Sequence, residues 1–195
     1  MKNNIAFDID GVLVDLMSQF CLKLREQCRA KIANRESYRI ITDPFLSDSQ
    51  IWDLFWECYE DYESTPIYPC TIELINAIYA ITGQPILMIT CRPALSASFT
   101  YGLIDRFCKI PYVVAFAANH QDKIKYMNDV DYLVEDRRAT AKWLTRPKFG
   151  KKVLLIDKPY NQMPDRHNVI RIESLSDIIN QIGLENIIRL ENKAA

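Results

Sequence analysis

"NIAFDIDGVLVD", residues 4–15, decides how this chain is read. It starts as an apolar run of the kind that forms a buried strand. It then meets Asp8 and Asp10, two carboxylates two positions apart, followed at once by Gly11. Acids this close repel each other, and a cation is the usual reason for tolerating them. A calcium loop is excluded: with Gly11 as the sixth position of an EF-hand, the required acids fall at Ala6 and Met17. Taken singly, Asp-x-Asp is more often surface decoration, so the rest of the chain must say what the pair is for.

Five more apolar runs lie downstream, at Pro85–Thr90, Tyr112–Ala117, Tyr132–Val134, Val153–Ile156 and Val169–Ile172, with helical stretches between them. Near-continuous apolar strands alternating with amphipathic helices predict an α/β protein, a Rossmann-like three-layer α/β/α fold around a parallel sheet. Gly83 stands where the C-cap of a helix over Ile72–Ile81 belongs, and Ser174-Leu-Ser-Asp177 reads as the start of a last long helix. One interval breaks the rhythm: about 75 residues separate the first two strands, several times a normal crossover. Within it, residues 16–33 read as one helix and Asp43-Pro44 as a polar turn. Ser47-x-x-Gln50 forms a capping box opening a second helix to about Tyr62. The expected organisation is a core of residues 1–15 and 69–195 with a helical cap, 16–68, inserted after the first strand. The tail Asn192–Ala195 is expected to fray.

The 195 residues, 49% hydrophobic and 25% charged, suit one well-packed globular core. A net charge of -1 argues against a dominantly electrostatic nucleic-acid or membrane binder. No apolar run approaches the roughly 20 residues that span a bilayer. Met1-Lys2-Asn3-Asn4 runs straight into the first strand, which predicts no signal peptide and a cytoplasmic protein. The six cysteines form no C-x-x-C pair and have only His120 and His167 as helpers, so free, mostly buried thiols are expected rather than a zinc site.

In an open parallel sheet, ligands bind beyond the carboxyl ends of the strands. Four polar signals sit there: Asp8-Ile9-Asp10-Gly11, then Thr90 with Cys91-Arg92-Pro93, then Lys123 at a helix start, then Glu135-Asp136. These occur in the order of the four motifs of the haloacid dehalogenase-like phosphatases, which the chain resembles over nearly its whole length. Within that superfamily it looks most like the 5'(3')-deoxyribonucleotidases. "IWDLFWECYEDYESTPIYP" (51–69) resembles the segment where that family's cap returns to the core, "TCRP" its second-motif loop, and "LLIDKPYN" (154–161) a late strand and loop. Two departures are visible: the family's two aspartates are Glu135-Asp136 here, and its Pro-Gly is Pro69-Cys70.

The resemblance implies a role for each residue. Asp8 is the nucleophile and a Mg²⁺ ligand; Asp10 is the general acid and base, with its backbone carbonyl on the metal. Thr90 and the Cys91 amide bind the phosphoryl oxygens, Lys123 neutralises their charge, and Glu135 and Asp136 complete the metal shell, Asp136 being the preferred ligand. Lys125 is the competing candidate for the role of Lys123. Arg92 is either a phosphate contact or a surface salt bridge. A cysteine phosphatase does not fit, because its Cys-x5-Arg loop would need arginine at Ala97.

Trp52, Phe55, Trp56, Tyr59 and Tyr62 make a stripe at helical spacing, which ordinarily packs a cap's own core. Trp56 is the candidate for stacking on a substrate base, with Phe20 behind it. Residues 137–152 hold seven basic residues and no acid, a solvated helix face by default and a polyanion contact as the alternative. The expected activity is Mg²⁺-dependent hydrolysis of a small-molecule phosphomonoester, a nucleoside monophosphate. The rivals are a polynucleotide 3'-phosphatase, another small-molecule phosphomonoesterase, and a catalytically inactive binding domain.

Overall fold

A computed structural model of the chain describes residues 2–28, 46–183 and 187–189. All six expected strands form: β2 (Ile5–Phe7), β3 (Ile86–Thr90), β4 (Tyr112–Phe116), β5 (Tyr132–Glu135), β6 (Lys152–Ile156) and β7 (Val169–Ile172). They pair in parallel in the order β4-β3-β2-β5-β6-β7. A two-stranded antiparallel pair, β1 (Lys2–Asn3) with β8 (Ile188–Arg189), stands beside this sheet. The helices are α1 (Leu16–Cys28), α2 (Asp48–Glu60), α3 (Thr71–Thr82), α4 (Ala97–Phe107), α5 (Arg138–Leu144) and α6 (Ile178–Ile182).

The alternation of side chains along a strand sends Ile5 and Phe7 to one face and Ala6 to the other. The first face packs on Leu74, Ile75 and Ile78 of α3 and on Leu103, Ile104 and Phe107 of α4. The second packs on Ala141 and Leu144 of α5. Both faces are therefore covered, the condition under which parallel strands read as continuous apolar runs.

Helices α1 and α2 build a separate apolar cluster from Leu16, Phe20, Leu24, Leu54, Cys58 and Tyr59. Two connecting segments, side by side, join them to the sheet: Asp15 N–H donates to Pro66 O at 2.8 Å and Tyr68 N–H to Leu13 O at 3.0 Å. Asp15 also caps α1, accepting from Ser18 N–H at 3.0 Å and from the Ser18 hydroxyl at 2.7 Å. The capping box at Ser47 and Gln50 is present, and α2 ends at Glu60 rather than Tyr62. The expected helix over 16–33 is seen to Cys28; residues 29–33, the Asp43-Pro44 turn and the tail Asn192–Ala195 lie outside the described residues.

Gly83 closes α3 with φ +62°, donating to Tyr79 O at 2.7 Å. The last helix departs from expectation. The Ser174–Asp177 cap forms, with Ser174 N–H on Asp177 Oδ2 at 2.8 Å, but α6 runs only from Ile178 to Ile182, where Gly183 at φ +74° ends it. Cys70 takes φ +65°, the left-handed region that costs a side chain about 1–2 kcal/mol, at the place where the resembled family has glycine. The described cysteines Cys21, Cys58, Cys70, Cys91 and Cys108 are free thiols, and Cys70 is exposed. Among the described residues no helix is long and apolar enough to cross a membrane.

Candidate active site

Strand β2 is central, with β3 on one side and β5 on the other, so the chain's direction of winding reverses at its carboxyl end. That crevice is where an open α/β sheet binds ligands. Asp8 follows β2, Thr90 ends β3 and Glu135 ends β5. Three neighbouring strands thus deliver side chains that are far apart in the chain to one rim.

Lys123 is carried there by a single helical turn, Asp122–Tyr126, rather than by a full helix. It is 2% exposed and lies 2.7 Å from Asp8 Oδ2 and 2.9 Å from Glu135 Oε2. Burial alone would lower its pKa, but Asp8 and Glu135 outweigh burial and raise it. Lys125 is on the outside, 66% exposed and paired with Asp122, so Lys123 is the lysine of the site.

Asp8, Glu135 and Asp136 are buried with carboxylate oxygens within 4.8 Å of one another. Their partners differ. Glu135 is fully engaged: Oε2 accepts from Lys123, and Oε1 accepts from the amides of Asp136 at 3.1 Å and Arg137 at 3.0 Å. It anchors the lysine and the loop while remaining one of the three acids grouped closely enough to hold a metal. Asp136 Oδ2 accepts from the Tyr160 hydroxyl, but Oδ1 is buried with no hydrogen-bond partner. Burial first, and Glu135 second, push Asp136 up to about 7; the same two causes raise Asp8 well above the usual carboxylate range. Three carboxylates crowd one ammonium, a surplus of acid groups over cations. A divalent, oxygen-seeking cation fits both that surplus and the free oxygen of Asp136.

Gly11 makes the approach possible. With φ +80° it lies so close to the Asp136 carboxylate that a Cβ in its place would overlap it. Asn161, fully buried, donates to Asp136 O and to Ile156 O at 2.7 Å each and fixes the loop from the other side.

Asp10 stands apart from this trio. Its side chain meets Arg92 in a two-pronged pair, Nε to Oδ2 at 2.9 Å and Nη2 to Oδ1 at 2.7 Å. Arg92 is therefore a buried partner of Asp10 and not a surface salt bridge; it also lines the cavity, and its Nη1 is buried without a hydrogen-bond partner. The Thr90 hydroxyl accepts from Arg92 N–H at 3.1 Å, leaving its own O–H as a donor toward the cavity. Burial pushes the Cys91 thiol up to about 11, which keeps it protonated and unsuited to nucleophilic attack.

A cavity of about 530 Å³ opens over these groups. Its outer wall is apolar, formed by Leu16, Met17 and Phe20 of α1 and by Trp52, Phe55 and Tyr59 of α2. Phe20 and Phe55 stack with centroids 4.2 Å apart. Trp56 is off this wall, contrary to expectation: Nε1 donates to Glu60 Oε1 at 2.8 Å, and its ring meets Tyr59 and Phe99 edge-on. One turn of helix explains the exchange, because Trp52 and Trp56 lie four residues apart and only one reaches the cavity. Tyr68 and Lys158 also line the cavity, the Lys158 ammonium lying 3.1 Å from the Tyr68 hydroxyl.

The basic run 137–152 is largely spent within the protein. Arg138 donates to Gln162 O, Lys151 to the carbonyls of Met127 and Val130, and Lys152 to the Tyr132 hydroxyl. Arg146 lies over the Trp143 ring and Lys148 over Phe149. This weakens the polyanion alternative.

No protein-family model matches the chain, and no curated protein does. Solved structures match nearly all of it. A haloacid dehalogenase (HAD) family hydrolase from Deinococcus radiodurans R1, determined with bound phosphate and sodium, is 13% identical with a TM-score of 0.58, over 91% of this chain and 93% of that one. The L-2-haloacid dehalogenase from Xanthobacter autotrophicus, with chloropropionic acid covalently bound, is 12% identical with a TM-score of 0.54, over 92% and 98%. A HAD-superfamily hydrolase of subfamily IA from Geobacter sulfurreducens PCA is 15% identical with a TM-score of 0.51, over 92% and 99%. At such identities the likeness is one of architecture: this chain has the fold that these HAD hydrolases share.

Proposed function

We propose that the chain is a Mg²⁺-dependent phosphomonoesterase that hydrolyses nucleoside monophosphates through an aspartyl-phosphate on Asp8. In this reading residues 16–68 act as a cap over the site and the activity is that of the 5'(3')-deoxyribonucleotidases. One observation carries it. Asp8, braced by Lys123 and crowded by acids that want a divalent cation, lies at the floor of a cavity whose outer wall is aromatic. The fold shared with hydrolases, one of them determined with phosphate, supports the same reading.

Asp8 and Asp136 would hold the metal through their side chains, and Asp10 through its backbone carbonyl. When bound, Mg²⁺ draws charge from the phosphoryl oxygens and opens phosphorus to an anionic nucleophile. An oxygen of Asp8 then attacks phosphorus, the bond to the leaving oxygen breaks, and the carboxyl of Asp10 passes its proton to that oxygen. In the second half, Asp10 takes a proton from water, the water oxygen attacks phosphorus, and the bond to Asp8 breaks to release inorganic phosphate. The Thr90 hydroxyl and Lys123 hold the phosphoryl oxygens in both halves. The outer wall offers rings for a nucleobase and keeps bulk water from the phosphoenzyme.

The test is a phosphate-release screen over nucleoside monophosphates, sugar phosphates and 3'-phosphorylated oligonucleotides, with Mg²⁺ and with a chelator. Metal-dependent turnover with kcat/KM highest for mononucleotides is the expected result. Highest kcat/KM on sugar phosphates or on oligonucleotide ends would reject the substrate assignment, and turnover unaffected by the chelator would reject the metal.

A further inference from the structure

We propose that Arg92 is a positioning residue for Asp10, and that Tyr59 of α2 holds Arg92 in place, so that proton transfer to the leaving group depends on the cap helix. The proposal rests on the phosphomonoesterase reading above.

Both oxygens of Asp10 are gripped by one guanidinium, which fixes the plane of the carboxyl as well as its distance. The pair joins residues 82 positions apart, so it exists only in the folded protein. The Arg92 side chain is 0% exposed, whereas that of Asp10 is 26% exposed. Arginine is almost never fully buried unless paired. Here the cation is the hidden member and the acid faces the cavity, the orientation a proton donor needs.

The guanidinium has one further contact of note. Its Cζ lies 4.8 Å from the centre of the Tyr59 ring, a cation–π contact made stronger by burial. Tyr59 belongs to α2 and to the apolar cluster of the two-helix unit. A continuous line of contact therefore runs from α2 through Tyr59 and Arg92 to Asp10. Asp8, two residues earlier, is braced separately by Lys123. Attack on phosphorus and delivery of the proton are thus oriented by two different cations, and only the second is tied to α2.

In the first half-reaction the fork stabilises the carboxylate that forms as the Asp10 proton moves to the leaving oxygen. In the second it holds that carboxylate toward the attacking water while the proton returns. No bond to Arg92 is made or broken.

The leaving group exposes this role. A nucleoside alkoxide needs the Asp10 proton, whereas p-nitrophenolate departs without one. The experiment measures kcat/KM for a nucleoside monophosphate and for p-nitrophenyl phosphate with wild type, Arg92→Lys, Tyr59→Phe and Tyr59→Leu, and records the Tm of each. Arg92→Lys keeps charge but loses the fork. It is expected to lose about 10- to 100-fold more on the nucleotide than on the aryl ester, the scale of a misplaced catalytic group. Tyr59→Leu is expected to shift the ratio the same way and Tyr59→Phe, which keeps the ring, to restore it. Equal losses on both esters would mean that Arg92 binds the phosphoryl group or only supports the fold, and the proposal would fall. Should Arg92→Lys not fold, the two Tyr59 variants decide, and a ratio unchanged in Tyr59→Leu overturns the link to α2. A wild type inactive on both esters would instead reject the phosphomonoesterase reading.

Discussion

Lys123 Nζ lies 2.7 Å from Asp8 Oδ2, with both residues buried, so the side chain expected to attack phosphorus is braced by an ammonium that water barely reaches. Lys123→Met strands Asp8 and Glu135 without their cation. Breaking a buried pair in this way typically costs about 3–5 kcal/mol, and loss of a charge-stabilising donor typically costs about 10²–10³ in kcat. Thermal melts and phosphate-release kinetics on the variant check both figures, and Lys125→Met, altering an exposed surface pair, is expected to change neither.

Asp136 is expected to carry the metal. Removing its charge by Asp136→Asn relieves a crowded acidic cluster, so the metal-free variant melts higher than metal-free wild type. Addition of Mg²⁺ reverses the order: wild type gains about 2.7 kcal/mol at a hundredfold excess over its Kd, and the variant gains far less. Calorimetric scans with Mg²⁺ and with a chelator read both signs.

Gly11 is expected to tolerate no side chain. Gly11→Ala meets a left-handed backbone, worth about 1–2 kcal/mol, and also displaces the Asp136 carboxylate. The variant should therefore lose its Mg²⁺-dependent rise in Tm as well as turnover. Gly150→Ala at φ +64°, with open space around it, serves as the control that has the backbone cost alone.

On the outer wall, Trp52 and not Trp56 is expected to contact the base. A stacked base is worth about 1–3 kcal/mol by alanine substitution, so Trp52→Ala should raise KM for nucleotides by roughly tenfold while leaving p-nitrophenyl phosphate nearly unchanged. Trp56→Ala is expected to lower Tm without separating the two substrates.

Much of this arrangement was legible in the chain because strands at a switch point announce themselves. Each of the six apolar runs became a strand, and Asp8, Thr90 and Glu135 sit at strand ends where a short polar stretch follows an apolar one. What stayed hidden depended on tertiary approach. Nothing local marks Arg92 as the partner of Asp10, since 82 residues separate them. The choice between Trp52 and Trp56, which share a face of α2 one turn apart, turned on where along the helix the cavity lies, which helical spacing alone leaves open. Tyr160 and Asn161 lay in a stretch that stood out only by resemblance, and their bonds to Asp136 come from a loop folded back over β5 and β6. The last helix was overestimated because a good cap at Ser174 says where a helix begins and not where Gly183 will stop it.

The central claim is that Asp8 becomes phosphorylated. Quenching wild-type turnover in acid, reducing with borohydride and mapping the modified peptide by mass spectrometry reads this directly, because an aspartyl-phosphate is reduced to homoserine. Conversion at position 8 alone, lost in Asp8→Asn, is the expected result. A protein that turns over at full rate with Asp8 unmodified, or with the mark on another residue, would contradict the account.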